Sequence, residues 1–263
     1  MFIRTGCWIL LLYLLVIPVR ANTLVQSYLW SVNSASTQLY IMAVPDYSDA
    51  KTYPLNSVYT QHFNASDILV VSLDTRLLSE ARISRQLKQL GTYQKGDRLS
   101  DHLSSNTWRM LQEFLNRSGG SVGLSQRIKP WLLSRSLQLQ RSHQLGYSSQ
   151  HHISQYFLQQ NNNNKNVISL EKVETQLAYL SYGDERYHEH RLLAVLKNYP
   201  VMEQQLAAIS RAWQQGDDGF IQDYLQRDGL LWQRSATLLQ RRNFELLLKL
   251  RRFLADAASY FVI

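Results

Sequence analysis

Apolar positions follow two rhythms along this chain. From Thr37 to Val44 (TQLYIMAV) and from Ile68 to Leu73 (ILVVSL) they crowd into short β-rich runs. The second run is nearly continuous, as for a strand covered on both faces. Between them Pro54 marks a first helical turn, and Val58 and Phe63 share an apolar side. Residues 37–73 therefore predict a strand–helix–strand unit. Val167 to Leu170 (VISL) predicts a third strand, and Ser259 to Ile263 (SYFVI) predicts the start of a last one.

Elsewhere the spacing is helical. Leu87 and Leu90 precede Gly91, and Leu99 and Leu103 mark a short segment. Trp108, Leu111 and Leu115 recur until Gly119-Gly120, and Pro130-Trp131 opens a helix with Leu132, Leu133, Leu137 and Leu139. These predict a helical lobe over about residues 79–143. Further helices are expected through Leu177–Leu180, Leu192–Leu196, Leu206–Ile209 and Phe220–Leu225. The last begins near Ser235 and carries Leu239, Leu246, Leu247, Leu250, Phe253 and Leu254 along one side. The fold class is α+β with an α/β-like core: a central mixed β-sheet flanked by helices, with a large helical lobe. Tyr260, Phe261 and Val262 form an apolar terminus with no turn after it. On that ground a neighbouring strand is expected to keep unpaired backbone groups, which favours self-association, and the abrupt end at Ile263 reads as a truncation.

The first residues change the picture of compartment. Met1–Arg4 are positively charged, and fifteen uncharged residues follow from Thr5 to Val19. Val19-Arg20-Ala21 then places small residues at cleavage positions. That pattern is a secretory signal peptide over residues 1–21. A spanning helix needs about 20 apolar residues, and Pro18 and Arg20 close this run early. Residues 22–263 are then one exported domain, periplasmic or secreted, with no transmembrane segment after cleavage. The only cysteine, Cys7, lies in the leader, so the core must be held by burial alone. The net charge of +8 is spread over helix faces with acids nearby. A nucleic-acid protein concentrates it in one stripe, so no nucleic-acid partner is expected.

Chemistry is sparse. The chain has no Gly-rich phosphate loop, no nucleophile elbow and no cysteine outside the leader. His151-His152 and His188-Glu189-His190 invite a metal, but neighbours at i,i+1 and i,i+2 do not share a helix face. Solvated histidines are the favoured reading.

The order of segments resembles the TraB/GumN family, which includes secreted metal-dependent proteases. The resemblance runs through Leu29-Trp30-Ser31-Val32, like the family's opening strand, then Leu39-Tyr40-Ile41, Tyr53-Pro54-Leu55 and Ser66–Val71. It continues through Gly96–Leu103 with Trp108, Lys129-Pro130-Trp131, Gly146-Tyr147, Leu170–Leu177 and Arg242-Asn243. The departures fall where the family's chemistry is expected. A Gly-Thr-Ile-His-like segment is replaced by Met42-Ala43-Val44-Pro45, and the second strand's glutamate by Ser72. An acid expected near Ile153 is absent at Ser154, and a Glu-Arg-Asn triplet becomes Arg241-Arg242-Asn243. Proline brings no ligand atom, and a serine hydroxyl is a poor substitute for a carboxylate. A catalytic metal needs about three protein ligands.

The resemblance therefore implies a scaffold whose site has been emptied: a secreted pseudoenzyme with no catalytic residues, no metal site and no cofactor. Its binding role in the bacterial envelope is open. Arg242, Asn243 and Glu171 are the ligand-binding candidates, Arg242 because its fork pairs with carboxylates. The alternative is a metal-dependent hydrolase or protease with a relocated site built from Asp74, Glu171, Glu174 and the histidines.

Overall fold

The computed structural model describes residues 27–162, 164–226 and 229–263. The leader expected over residues 1–21 lies outside the described residues. Five strands form one sheet: β1 (Leu29–Asn33), β2 (Gln38–Met42), β3 (Ile68–Val71), β4 (Asn166–Ser169) and β5 (Ser259–Val262). Their order is β1-β2-β5-β3-β4. β1 runs antiparallel to β2, and the other pairings are parallel. The sheet is therefore mixed, as expected from the sequence.

The chain end departs from expectation. β5 is the central strand, with Phe261 opposite Tyr40 of β2 on one side and Leu69 of β3 on the other. Tyr260, Phe261 and Val262 are buried, and Ile263 continues the pairing through Ser72 N–H to Ile263 C=O at 3.0 Å and Ile263 N–H to Val70 C=O at 2.9 Å. The strands beside it are thus not left open; β1 and β4 form the sheet's edges. Local pattern identified this strand but not its slot, because sheet order is set by tertiary contacts far apart in the chain.

Alternation along the strands divides the core into two layers. Tyr40, Met42, Leu69, Val71 and Phe261 face one way. There they meet α1 (Ser57–Ala65) through Tyr59 and Phe63, α6 (Ile153–Gln160) through Phe157 and α9 (Met202–Gln215) through Trp213. The Phe261 ring sits 5.7 Å from that of Phe63 and 4.9 Å from that of Phe157. Leu39, Val70, Tyr260 and Val262 face the other way, under α11 (Gly229–Phe253), which docks through Leu246, Leu250 and Phe253. Leu247, expected on that side, is exposed, since it lies about 100° round the helix from Leu246. The Leu239 side chain lies outside the described residues. Pro54 likewise precedes α1 instead of opening it, and Asn56 is the cap, accepting from the Val58 N–H at 3.0 Å.

The helical layer contains α2 (Glu80–Gly91), α3 (Ser105–Ser118), the short α4 (Val122–Ser125) and α5 (Pro130–Gln144). Pro130 occupies the first turn of α5, where its missing N–H costs nothing. Gly119 ends α3 with φ 73°, a left-handed conformation that suits glycine. The apolar core here joins Leu99, Leu111, Leu115, Leu133 and Leu137 to Leu192, Val195 and Leu196. The last three lie on α8 (Glu185–Asn198), which follows α7 (Val173–Leu180). α9 leads into α10 (Asp218–Gln226). Among the described residues no helix is long and apolar enough to cross a membrane.

Candidate functional site

Because β2, β5, β3 and β4 are parallel, the segments leaving them converge at one end of the sheet. That is where open α/β sheets bind ligands. The four residues after β2 are Ala43, Val44, Pro45 and Asp46; Ser72 and, two residues on, Asp74 follow β3, and Leu170 and Glu171 follow β4. Backbone bonds fix their arrangement. Leu170 N–H donates to Val71 C=O at 2.9 Å and Glu171 N–H to Ser72 C=O at 2.8 Å. The Ala43 carbonyl is taken by the Trp213 indole N–H at 2.9 Å, and Met42 is core.

Glu171 is the buried acid that follows β4, and it is spent; Asp46, after β2, is exposed and close enough to act on Arg242. The Arg242 guanidinium reaches it from α11 as a two-pronged fork, Nε to Oε1 at 2.8 Å and Nη2 to Oε2 at 2.6 Å. The Glu171 side chain is only 2% exposed and that of Arg242 28%. Gln176 donates to the same Oε2 at 3.3 Å. Burial alone would raise the Glu171 carboxyl, but the Arg242 hydrogen bonds and charge, with Gln176 and Lys249, hold it below its ordinary value. Arg242 is pushed up in return, first by those bonds. Its guanidinium also lies 5.9 Å from the centre of the Tyr179 ring. The structure thus brings together two of the three predicted candidates. Asn243 is the exception: it is exposed on α11, outside the pair.

The other acids weighed for a relocated site are held the same way. Asp74 accepts from Arg76 backbone N–H at 3.1 Å, from Nε at 2.9 Å and from Nη2 at 2.8 Å. Glu174 pairs with Arg82 and accepts from Gln86 at 3.1 Å. The histidines do local work. His152 caps α6, its Nδ1 accepting from Ser154 N–H at 3.3 Å, and burial pushes its pKa down while Asp46 partly offsets this. His151 meets Ser148 Oγ at 3.1 Å. His188 is buried, and burial with Arg191 nearby pushes it below its ordinary value.

Sequence reasoning missed His102. Its Nδ1 lies 2.7 Å from Glu185 Oε1 and its Nε2 2.7 Å from Asp97 Oδ1. Its ring stacks on Tyr93 at 4.4 Å. The partners sit on opposite sides of the imidazole, so they cannot share a metal with it. Asp97 is visible five residues upstream, but nothing in the sequence points to Glu185.

The sequence profile of the TraB/PrgY/gumN family matches residues 28–263, and the chain belongs to that family. No match was found among the curated proteins or among the solved structures. The divalent metal that the family resemblance implies does not fit the side chains at this sheet end. Pro45 has no donor atom there and Ser72 only a neutral hydroxyl. Both Glu171 oxygens face a guanidinium, and Arg241 is exposed beside Glu245 at 3.5 Å. Among the described residues no group of three or more His, Cys, Asp or Glu is placed to hold a metal ion.

Proposed function

We propose that this chain is a catalytically inactive, exported member of the TraB/PrgY/gumN family, one that acts in the bacterial envelope by binding. The observation that carries the reading is the Arg242–Glu171 fork: the buried acid that follows β4 at the carboxyl end of the parallel strands is bound to a cation from α11, and buried Asp74 past β3 is bound to Arg76. A second cation at that point repels a divalent ion, and displacing it would strand a buried charge. Pro45 and Ser72, where the family resemblance puts a histidine and a glutamate, point the same way. Export rests on the charged start, the apolar run from Thr5 to Val19 and the small residues up to Ala21.

Metal analysis of the purified mature protein after dialysis is the test, with no stoichiometric zinc, manganese or cobalt expected. One such ion retained per chain at micromolar affinity, or peptide hydrolysis that depends on it, would overturn the proposal.

A further inference from the structure

A second concave site lies in the helical layer. A cavity of about 190 Å³ opens between α5, α8, α9 and α10. Its polar lining includes Gln138, Arg191 and Asn198, and its apolar walls include Val195, Met202 and Leu206. Tyr47, two residues past Pro45 in the loop after β2, also lines it.

The charges around this cavity do not balance. Arg191 is half-buried; its Nη1 donates to the Leu180 carbonyl at 3.3 Å, and its guanidinium lies 5.8 Å from the centre of the Tyr187 ring. Arg135 donates to Tyr47 Oη at 2.8 Å and lies over that ring. Arg141 lies 5.5 Å from the centre of the Tyr199 ring, another lining residue, and its buried Nε has no hydrogen-bond partner. Among the described residues no carboxylate forms an ion pair with Arg135, Arg141 or Arg191. Burial pushes the Arg191 guanidinium down from its ordinary value; Tyr187 partly offsets this and Arg135 adds to it. His188 on the same helix is pushed below its ordinary value, by burial first and then by the Arg191 charge, while Asp184 acts the other way. A desolvated cation next to another cation is costly unless something anionic meets it.

We propose that this cavity binds a small organic carboxylate with an apolar body, held through Arg191. The planar guanidinium fork matches a carboxylate in two parallel bonds. Gln138 and Asn198 supply further donors at the rim, and Val195, Met202 and Leu206 take the hydrocarbon. The size agrees: an engineered apolar cavity of about 150 Å³ binds benzene, so a cavity slightly larger and open at one side holds a benzoate-sized acid. A bare phosphate would leave the apolar walls in contact with water. The site is separate from the sheet end, so metal binding there would leave this inference untouched.

Benzoate is the probe, with benzamide as the neutral isostere and inorganic phosphate as the competing anion. Saturable binding to the purified protein is followed by calorimetry and by the shift in unfolding temperature. Benzoate is expected to bind and benzamide not to. Arg191→Met is expected to weaken binding about ten-fold or more, the loss of a charged hydrogen-bonding group. Leu206→Trp, which fills the cavity while keeping Arg191, should abolish binding, and Arg85→Met on the exposed face of α2 should leave it unchanged. The proposal is overturned if benzoate shows no saturable binding up to about 10 mM, a floor on useful affinity. Phosphate binding as well as benzoate, or equal affinity in Arg191→Met, would also overturn it.

Discussion

Arg242 and Arg191 are both half-buried arginines, and the molecule treats them in opposite ways. Arg242 at the sheet end has its counter-charge built in: Glu171 accepts both prongs of the fork. Arg191 in the helical layer has a carbonyl, the face of the Tyr187 ring, a second arginine nearby and an open cavity in front of it, but no carboxylate in an ion pair with it among the described residues. The contrast shows where recognition can still occur. A cation already matched by an internal acid has no free valence for a ligand, whereas an unmatched one favours any anion that fits.

The largest expected effect comes from breaking the matched pair. Arg242→Met removes the fork and leaves Glu171 buried beside Gln176 and Lys249. Removing one partner of a buried pair costs about 3–5 kcal/mol, so thermal unfolding near neutral pH should shift strongly downward. The sign with pH follows from the depressed Glu171 carboxyl. Its contribution is complete above the unfolded-state value of about 4.3 and is lost as pH falls through the lower folded value. The gap between variant and parent should therefore close on acidification. A gap that persists unchanged at low pH would mean that Arg242 acts through packing alone.

Arg191→Met is the mirror experiment, with a smaller effect of opposite sign. Replacing an unmatched, desolvated cation by an apolar side chain of similar length relieves a cost. Ligand-free stability is expected to stay level or rise by about 1 kcal/mol. Chemical denaturation of both variants side by side checks this. A loss as large as that of Arg242→Met would erase the difference between the two regions.

Much of this arrangement was legible beforehand, and the unread parts share a cause. The runs at Thr37–Val44, Ile68–Leu73 and Val167–Leu170 announced strands because their residues alternate or are wholly apolar, and β5 was visible in Ser259–Ile263. The place of β5 between β2 and β3 was not, since parallel neighbours come from distant segments and local pattern carries no order. Glu171 and Arg242 were singled out through the family resemblance, and the structure joins them. Asn243 stood in the same triplet but occupies a different side of the helix. The cation cluster on α5 and α8 had no sequence signature at all: Arg135, Arg141 and Arg191 each sit among ordinary helical spacings. Only helix packing reveals that, among the described residues, none of the three forms an ion pair with a carboxylate.

His102 is a third kind of cation, one whose charge depends on pH, and it supplies the finest test. Its ring bridges Asp97, in the segment before the Leu99–His102 turn, and Glu185, in the first turn of α8. Tyr93 stacks on its face, and Asp101 is a further acid close enough to affect Tyr93. Burial pulls His102 down, but the hydrogen bonds and charges of Asp97 and Glu185 outweigh it, and the group ends above its ordinary value. A raised folded value means the contribution is fully present below the unfolded pKa of about 6.5. It is lost as pH rises through the folded value. Both acids are well exposed, at 44% and 71% of the side chain, so solvent screening holds the effect to about 1 kcal/mol or less. His102→Gln should lower the unfolding temperature slightly at pH 6 and have no effect near pH 9. The pH 6 difference should shrink in high salt, because exposed pairs are screened. If the difference instead grows with pH, the imidazole is serving as a neutral acceptor, and α8 is held to the lobe by packing with no help from charge.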